Sequence, residues 1–171
     1  MNNQTKVRRT FTLVKHETDV FQIRGLLTFD DLVDLAASLS KQRVSRVDFV
    51  SSPQASYRFL SACIASKPHE VFTAVFLDTQ NGVIAFEELF HGTLDSCAVH
   101  PREVVKRAIE LNAASVIFAH NHPSGHVEPS QADIHITKRL KEALALVDIR
   151  VLDHFVIGAG DYVSFAERGL I

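Results

Sequence analysis

His120 and His122, with one residue between them, and Asp133, after ten further residues, are side chains of the kinds that hold a divalent metal. Alternate residues of a β-strand point to the same side and lie about 6.6 Å apart at the backbone, so two such histidines can reach one ion from a strand end. Asn121, between them, points elsewhere. Pro123, Gly125 and Pro129 can bring the chain back on itself, so that the start of the following helix faces the strand end. Asp133 lies in the first turn of that helix, where the partial positive charge of the amino terminus favours the ionised carboxylate that a metal requires. Two imidazoles and one carboxylate suit zinc and leave one tetrahedral position open to water, the layout of a catalytic rather than a structural centre.

Each of these residues also has a plainer reading. Ser130 and Asp133 spell a helix capping box, a common pattern at helix starts. A lone His-x-His pair is frequent in exposed turns. The combination of that pair at a strand end, a Pro/Gly turn and an acid opening the next helix is what favours a metal. Of the other histidines, His126 reads as a solvated loop residue or an outer contact, and His154 as a strand residue able to hydrogen-bond a ligand from behind.

The elements that must position this group read as follows. Thr28 to Asp31 opens a helix over 29–40, with Leu32, Leu35, Ala36 and Leu39 at helical spacing. Ser52-Pro53 caps and starts a second helix, whose apolar face carries Tyr57, Leu60 and Ile64. Residues 71–77 and 83–90 are two apolar runs around Asn81-Gly82, a strong hairpin signal because both residues tolerate positive φ. His100-Pro101 starts a third helix with Val104, Val105, Ala108 and Ile109 inward, followed by a short buried strand over 115–119. Residues 130–147 form an amphipathic helix with Ile136, Leu140, Ala143, Leu144 and Val147 inward, and strands over 149–157 and 161–165 complete the sheet. Residues 8–14 and 19–24 read as weak strands. The order is α/β, a mixed central β-sheet flanked by helices. Residues 1–48 form an amino-terminal extension, partly helical, and residues 49–171 the main domain.

Composition narrows the classes. With 171 residues and 46% hydrophobic side chains the chain can bury a core without disulfides. Cys63 and Cys97 lack CxxC spacing and read as reduced thiols. The formal charge of −2 argues against a protein that coats nucleic acid. No apolar run suits a secretion signal or a membrane span, so a cytoplasmic protein without membrane association is expected.

His120-x-His122 with Asp133, and Pro123 and Ser130 between, resembles the signature of the JAB/MPN metallohydrolases. Gly92-Thr93, His100-Pro-Arg-Glu103, Ala119 to Gly125, Pro129-Ser130 and Leu152-Asp-His154 resemble the RadC branch of that family, over residues 50–171. The resemblance implies a cytidine deaminase-like fold and a zinc hydrolase acting on a peptide or protein substrate. It also implies a glutamate upstream, which Glu70 matches, that takes a proton from the attacking water and passes it to the leaving amine. The serine matching Ser130 would steady the tetrahedral intermediate. Spacing alone does not select Glu70 over Glu87 or Glu88. A second reading is a DNA-associated factor, with Arg43, Arg46, Arg58, Lys106 and Arg107 as contacts; it rests on the family, because residues 1–48 lack the glycine hairpin of full-length RadC proteins. A third is an inactive scaffold, which predicts lost ligands.

Overall fold

The computed structural model describes residues 10–17, 20–43, 52–92 and 99–171. The expected domain boundary at 48/49, Arg46 and Cys97 lie outside them.

The two weak strands form a pair: β1 (Thr10–Glu17) and β2 (Val20–Leu26) are antiparallel in a sheet of their own. Helix α1 (Phe29–Arg43) follows, and Thr28 and Asp31 make the expected reciprocal cap, the Thr28 hydroxyl accepting the Asp31 amide at 3.1 Å. Leu32 nevertheless stays half exposed. Helix α2 (Pro53–Ile64) starts at the Ser52 cap as its sequence requires, and Leu60 and Ile64 are fully buried.

The main sheet is built from β3 (Val71–Leu77), β4 (Val83–His91), β5 (Ser115–Asn121), β6 (Arg150–Ile157) and β7 (Tyr162–Ser164). Their order is β4-β3-β5-β6-β7, with β5 and β6 parallel and the other neighbours antiparallel. The Asn81-Gly82 hairpin is present, with Asn81 at φ 60°. It is a wider turn than a two-residue one, closed by the Asp78 carboxylate accepting the amides of Gln80 and Gly82.

Alternation along the strands sends side chains to two cores. On one face, Phe59, Leu60, Cys63 and Ile64 of α2 pack against Val75, Leu77, Ile117, Ala119, Phe155 and Ile157. On the other, helices α3 (Pro101–Glu110) and α4 (Gln131–Ala145) bring Val104, Ala108, Ile136, Leu140 and Leu144 against Phe72, Ala74, Phe76, Val116 and Phe118. Two expected inward residues are exposed instead. Ile109 lies one step off the Val104–Ala108 line of α3, and Val147 lies beyond the end of α4, where the helical face no longer applies. Among the described residues, no helix is long and apolar enough to cross a membrane.

The parallel pair β5 and β6 requires a crossover, and α4 is that crossover. The carboxyl end of β5 therefore meets the amino end of α4, the place where open α/β sheets collect ligands.

Candidate metal centre

His120 lies at the end of β5 on the α3/α4 side of the sheet, in line with Val116 and Phe118. His122 follows immediately beyond the strand, where its amide donates to the Ile157 carbonyl at 2.8 Å and keeps the chain beside β6 for one more residue. The turn that follows is held close to the end of β6: a Cβ on Gly158 would lie 2.4 Å from the Gly125 carbonyl oxygen, so only glycine fits there. Gly125 itself sits at φ +83°, a conformation that glycine adopts without strain.

Asp133 arrives from the other side. It is the third residue of α4 and closes the capping box: the Ser130 hydroxyl accepts the Asp133 amide at 3.1 Å and donates to Asp133 Oδ2 at 2.8 Å, and the Ser130 amide donates to Oδ2 at 2.7 Å. The structural and chemical readings of this residue are thus one contact. With Oδ2 engaged by Ser130, Oδ1 faces His120 Nε2 at 3.3 Å.

His120, His122 and Asp133 offer donor atoms within 4.8 Å of one another, and this group could hold a metal ion. His120 and Asp133 are buried, while His122 retains 15% of its side-chain exposure and forms the accessible side. The two Nε2 atoms stand 3.0 Å apart. Zn–N bonds of 2.0–2.1 Å at tetrahedral angles place ligand nitrogens about 3.3 Å apart, so the spacing fits a shared ion. Burial alone would raise the Asp133 carboxyl, but the hydrogen bond and charge of His120 and the hydrogen bonds from Ser130 outweigh it and hold the group well below the usual carboxylate range.

Behind the histidines, each Nδ1 has a partner. His122 Nδ1 meets the His126 backbone carbonyl at 2.6 Å, so His126 contributes to the site through its main chain. His120 Nδ1 meets His154 Nε2 at 2.8 Å, and His154 Nδ1 meets the Thr137 hydroxyl at 2.6 Å. His154 is fully buried among Phe72, Phe118 and Phe165, and burial, aided by the charge of His120, depresses its pKa well below the ordinary value. It is a neutral imidazole, with one donor and one acceptor.

Register brings Glu70 to the end of the sheet that carries His120. Phe72 pairs with His120 across β3 and β5, and side chains directly opposite in a sheet share a face. Glu70 lies immediately before β3, two residues ahead of Phe72, and its main-chain carbonyl accepts the Gly92 amide at 2.9 Å. The competing glutamates are held elsewhere: Glu87 accepts from Arg107 at 2.9 Å and Glu88 pairs with Lys67 at 3.0 Å. Glu70 is not part of the metal-holding group.

Two residues were given no role by sequence reasoning. Asn121 points to the α2 side, where its side chain accepts the Val71 amide and donates to the carbonyls of Lys67 and His69, fixing the segment that carries Glu70. Thr137 supports His154; its one local signal is its place a helical turn after Asp133, as a hydroxyl beside the apolar stripe of Ile136 and Leu140.

Comparison with known proteins agrees with this geometry. Residues 50–170 match the family of the RadC-like JAB domain. A UPF0758 protein of Methylibium petroleiphilum is 57% identical over 140 residues, covering 82% of this chain and 63% of that protein. UPF0758 proteins of Marinobacter nauticus and Cellvibrio japonicus are 53% and 62% identical, over 88% and 71% of this chain and 69% and 54% of theirs. The chain thus spans roughly three fifths of the length of these relatives. With the matched residues running from before Glu70 to beyond His154, and an α/β sheet that brings the His-x-His pair to the acid of the next helix, the chain belongs to the RadC-like JAB domain family.

Proposed function

We propose that this chain is a zinc-dependent hydrolase that cleaves peptide or isopeptide bonds, with His120, His122 and Asp133 as zinc ligands, Glu70 as general base and Ser130 as the residue that aims Asp133. One observation carries the reading. Both imidazoles have their Nδ1 atoms occupied from behind, and their Nε2 atoms face each other at 3.0 Å beside a carboxylate oxygen. The His126 carbonyl can only accept, so His122 donates to it from Nδ1 and turns Nε2 towards the group. A cation between the three atoms satisfies all of them at once.

Zinc bound there supplies a water of lowered pKa and polarises a substrate carbonyl. The remaining work falls to the chain. Glu70, just ahead of the strand that pairs with β5, takes the proton of the attacking water and delivers it to the departing amine. The Asn121 contacts hold its backbone in place. His122, on the accessible side, marks the direction from which an extended peptide approaches.

The DNA reading receives less support from the surface. Arg107 is shared between Glu87 and Glu110, and Lys106 lies 3.8 Å from Glu110, so these cations are already paired with acids.

The test is metal analysis of wild type, His122→Ala and Glu70→Gln, coupled to cleavage of a peptide library. Wild type should take up about one zinc per chain and cleave; His122→Ala should lose the metal. Glu70→Gln should keep zinc and lose turnover by at least about a hundredfold. Wild-type protein that takes up no zinc after supplementation would overturn the proposal.

A further inference from the structure

Ile109 and Val147, which the helical pattern sends inward, stand at the surface, and they stand together. Ile109 on α3 is 55% exposed, and Leu146 and Val147, just past the end of α4, are 87% and 37% exposed. With Val105 and Ala143 they line one groove between the two helices. Single apolar residues scattered over a surface are ordinary, but a contiguous apolar groove with a charged rim marks a place of association.

The rim says what fits. Arg102, Lys106 and Glu110 border the groove at four-residue spacing, so they form one line along α3. The sign changes along that line, from two cations at the start of the helix to an acid at its last residue. Arg102 and Glu110 are eight residues apart, about 12 Å along the axis. A second α3 laid antiparallel on the first, about a two-fold axis near Lys106, sets Arg102 of each copy against Glu110 of the other and closes the two apolar stripes on each other. Self-complementarity of this kind is what a two-fold dimer requires. The rim charges can re-pair at little cost. Arg102 is largely exposed with its Nε on the neighbouring Glu103, and Glu110 Oε1 lies 3.8 Å from Lys106, longer than a hydrogen bond.

We propose that the α3/α4 groove is the interface of a two-fold dimer, each groove being covered by the same groove of a second copy of this chain. The metal group keeps clear of it, since Asp133 lies in the first turn of α4 and Leu146 just past its end, about 20 Å further along the helix.

The experiment is sedimentation velocity of the full chain over a wide range of concentration, with circular dichroism to show that each variant is folded. Wild type should pass from monomer to dimer in the micromolar range, as befits an interface of modest size. Leu146→Glu and Ile109→Lys should each weaken the dimer by at least about tenfold. Arg102→Glu combined with Lys106→Glu makes the rim acidic throughout, and Glu110→Lys makes it basic throughout, so each of these variants should repel its own kind. Mixed in equal amounts, the two should form a heterodimer at least about tenfold tighter than either homodimer. A wild type that stays monomeric at every concentration overturns the inference. So does a dimer that Leu146→Glu and Ile109→Lys both leave intact, or a mixture of the folded charge variants that does not associate.

Discussion

The Asn121 side-chain oxygen accepts the Val71 amide at 2.8 Å, fifty residues away in sequence. The residue between the two metal-facing histidines therefore grips the segment that carries the candidate base. One strand end thus serves both: its α4 side presents imidazoles, and its α2 side holds Glu70 in place through Lys67, His69 and Val71.

Asn121→Ala should leave a buried amide and two carbonyls without their partner, costing about 2–4 kcal/mol of stability in urea unfolding. Zinc binding should survive, since the donors lie on the opposite side of the strand, while turnover falls. A variant that loses zinc as readily as His122→Ala would show that the two sides of the strand are not separable.

Ser130→Ala should lose about 1 kcal/mol through the helix cap. It should also weaken zinc binding, by about tenfold, because both hydrogen bonds of the Ser130 hydroxyl to Asp133 disappear. Calorimetric titration separates the two effects. Lost stability with unchanged zinc affinity would reduce Ser130 to a cap.

Stripping the metal should lower the melting temperature. Zinc at a hundredfold excess over its dissociation constant stabilises the folded state by about 2.7 kcal/mol, which for a chain of this length shifts the midpoint by roughly 5–10 °C. His122→Ala should melt at the same temperature with and without chelator. A chelator effect of equal size in that variant would place the metal elsewhere.

Asp153 gives a pH signature distinct from the metal group. Burial pushes its carboxyl above the ordinary value, against hydrogen bonds from the Ser164 hydroxyl and the amides of Ala166, His154 and Phe165. A carboxyl raised on folding contributes stability that is present below its unfolded pKa of about 3.9 and lost as pH rises through the folded value. Asp153→Asn removes that titration, so the variant should match or exceed wild type at pH 7, and wild type should gain on it as pH falls towards 4. Urea midpoints measured across this range check the sign. A wild-type advantage that grows with pH would mean that the hydrogen bonds outweigh burial.

What could be read in the sequence was whatever short-range chemistry decides. Ser52-Pro53 and Ser130 with Asp133 announced the starts of α2 and α4 because a cap involves only neighbouring residues. The His-x-His pair could be placed on one side of a strand because alternation is local. The pairing of β1 with β2 was hidden, since neither shows clean alternation. The same is true of the partners from distant strands and helices. That Glu70 rather than Glu87 or Glu88 remains the candidate base follows from the β3–β5 register, which sets Phe72 opposite His120, and from Arg107 and Lys67 holding the other two. The His120–His154–Thr137 line needs β5, β6 and α4 all in place before any of its bonds exists.

The capping box of α4 has a consequence for the order of events. Since the contact that begins this helix is also the one that turns Asp133 towards His120, the cage is complete as soon as the chain has folded. An incoming ion would meet a prepared socket and need only shed its own hydration. Occupancy would then follow the supply of free metal rather than any slow rearrangement of the protein.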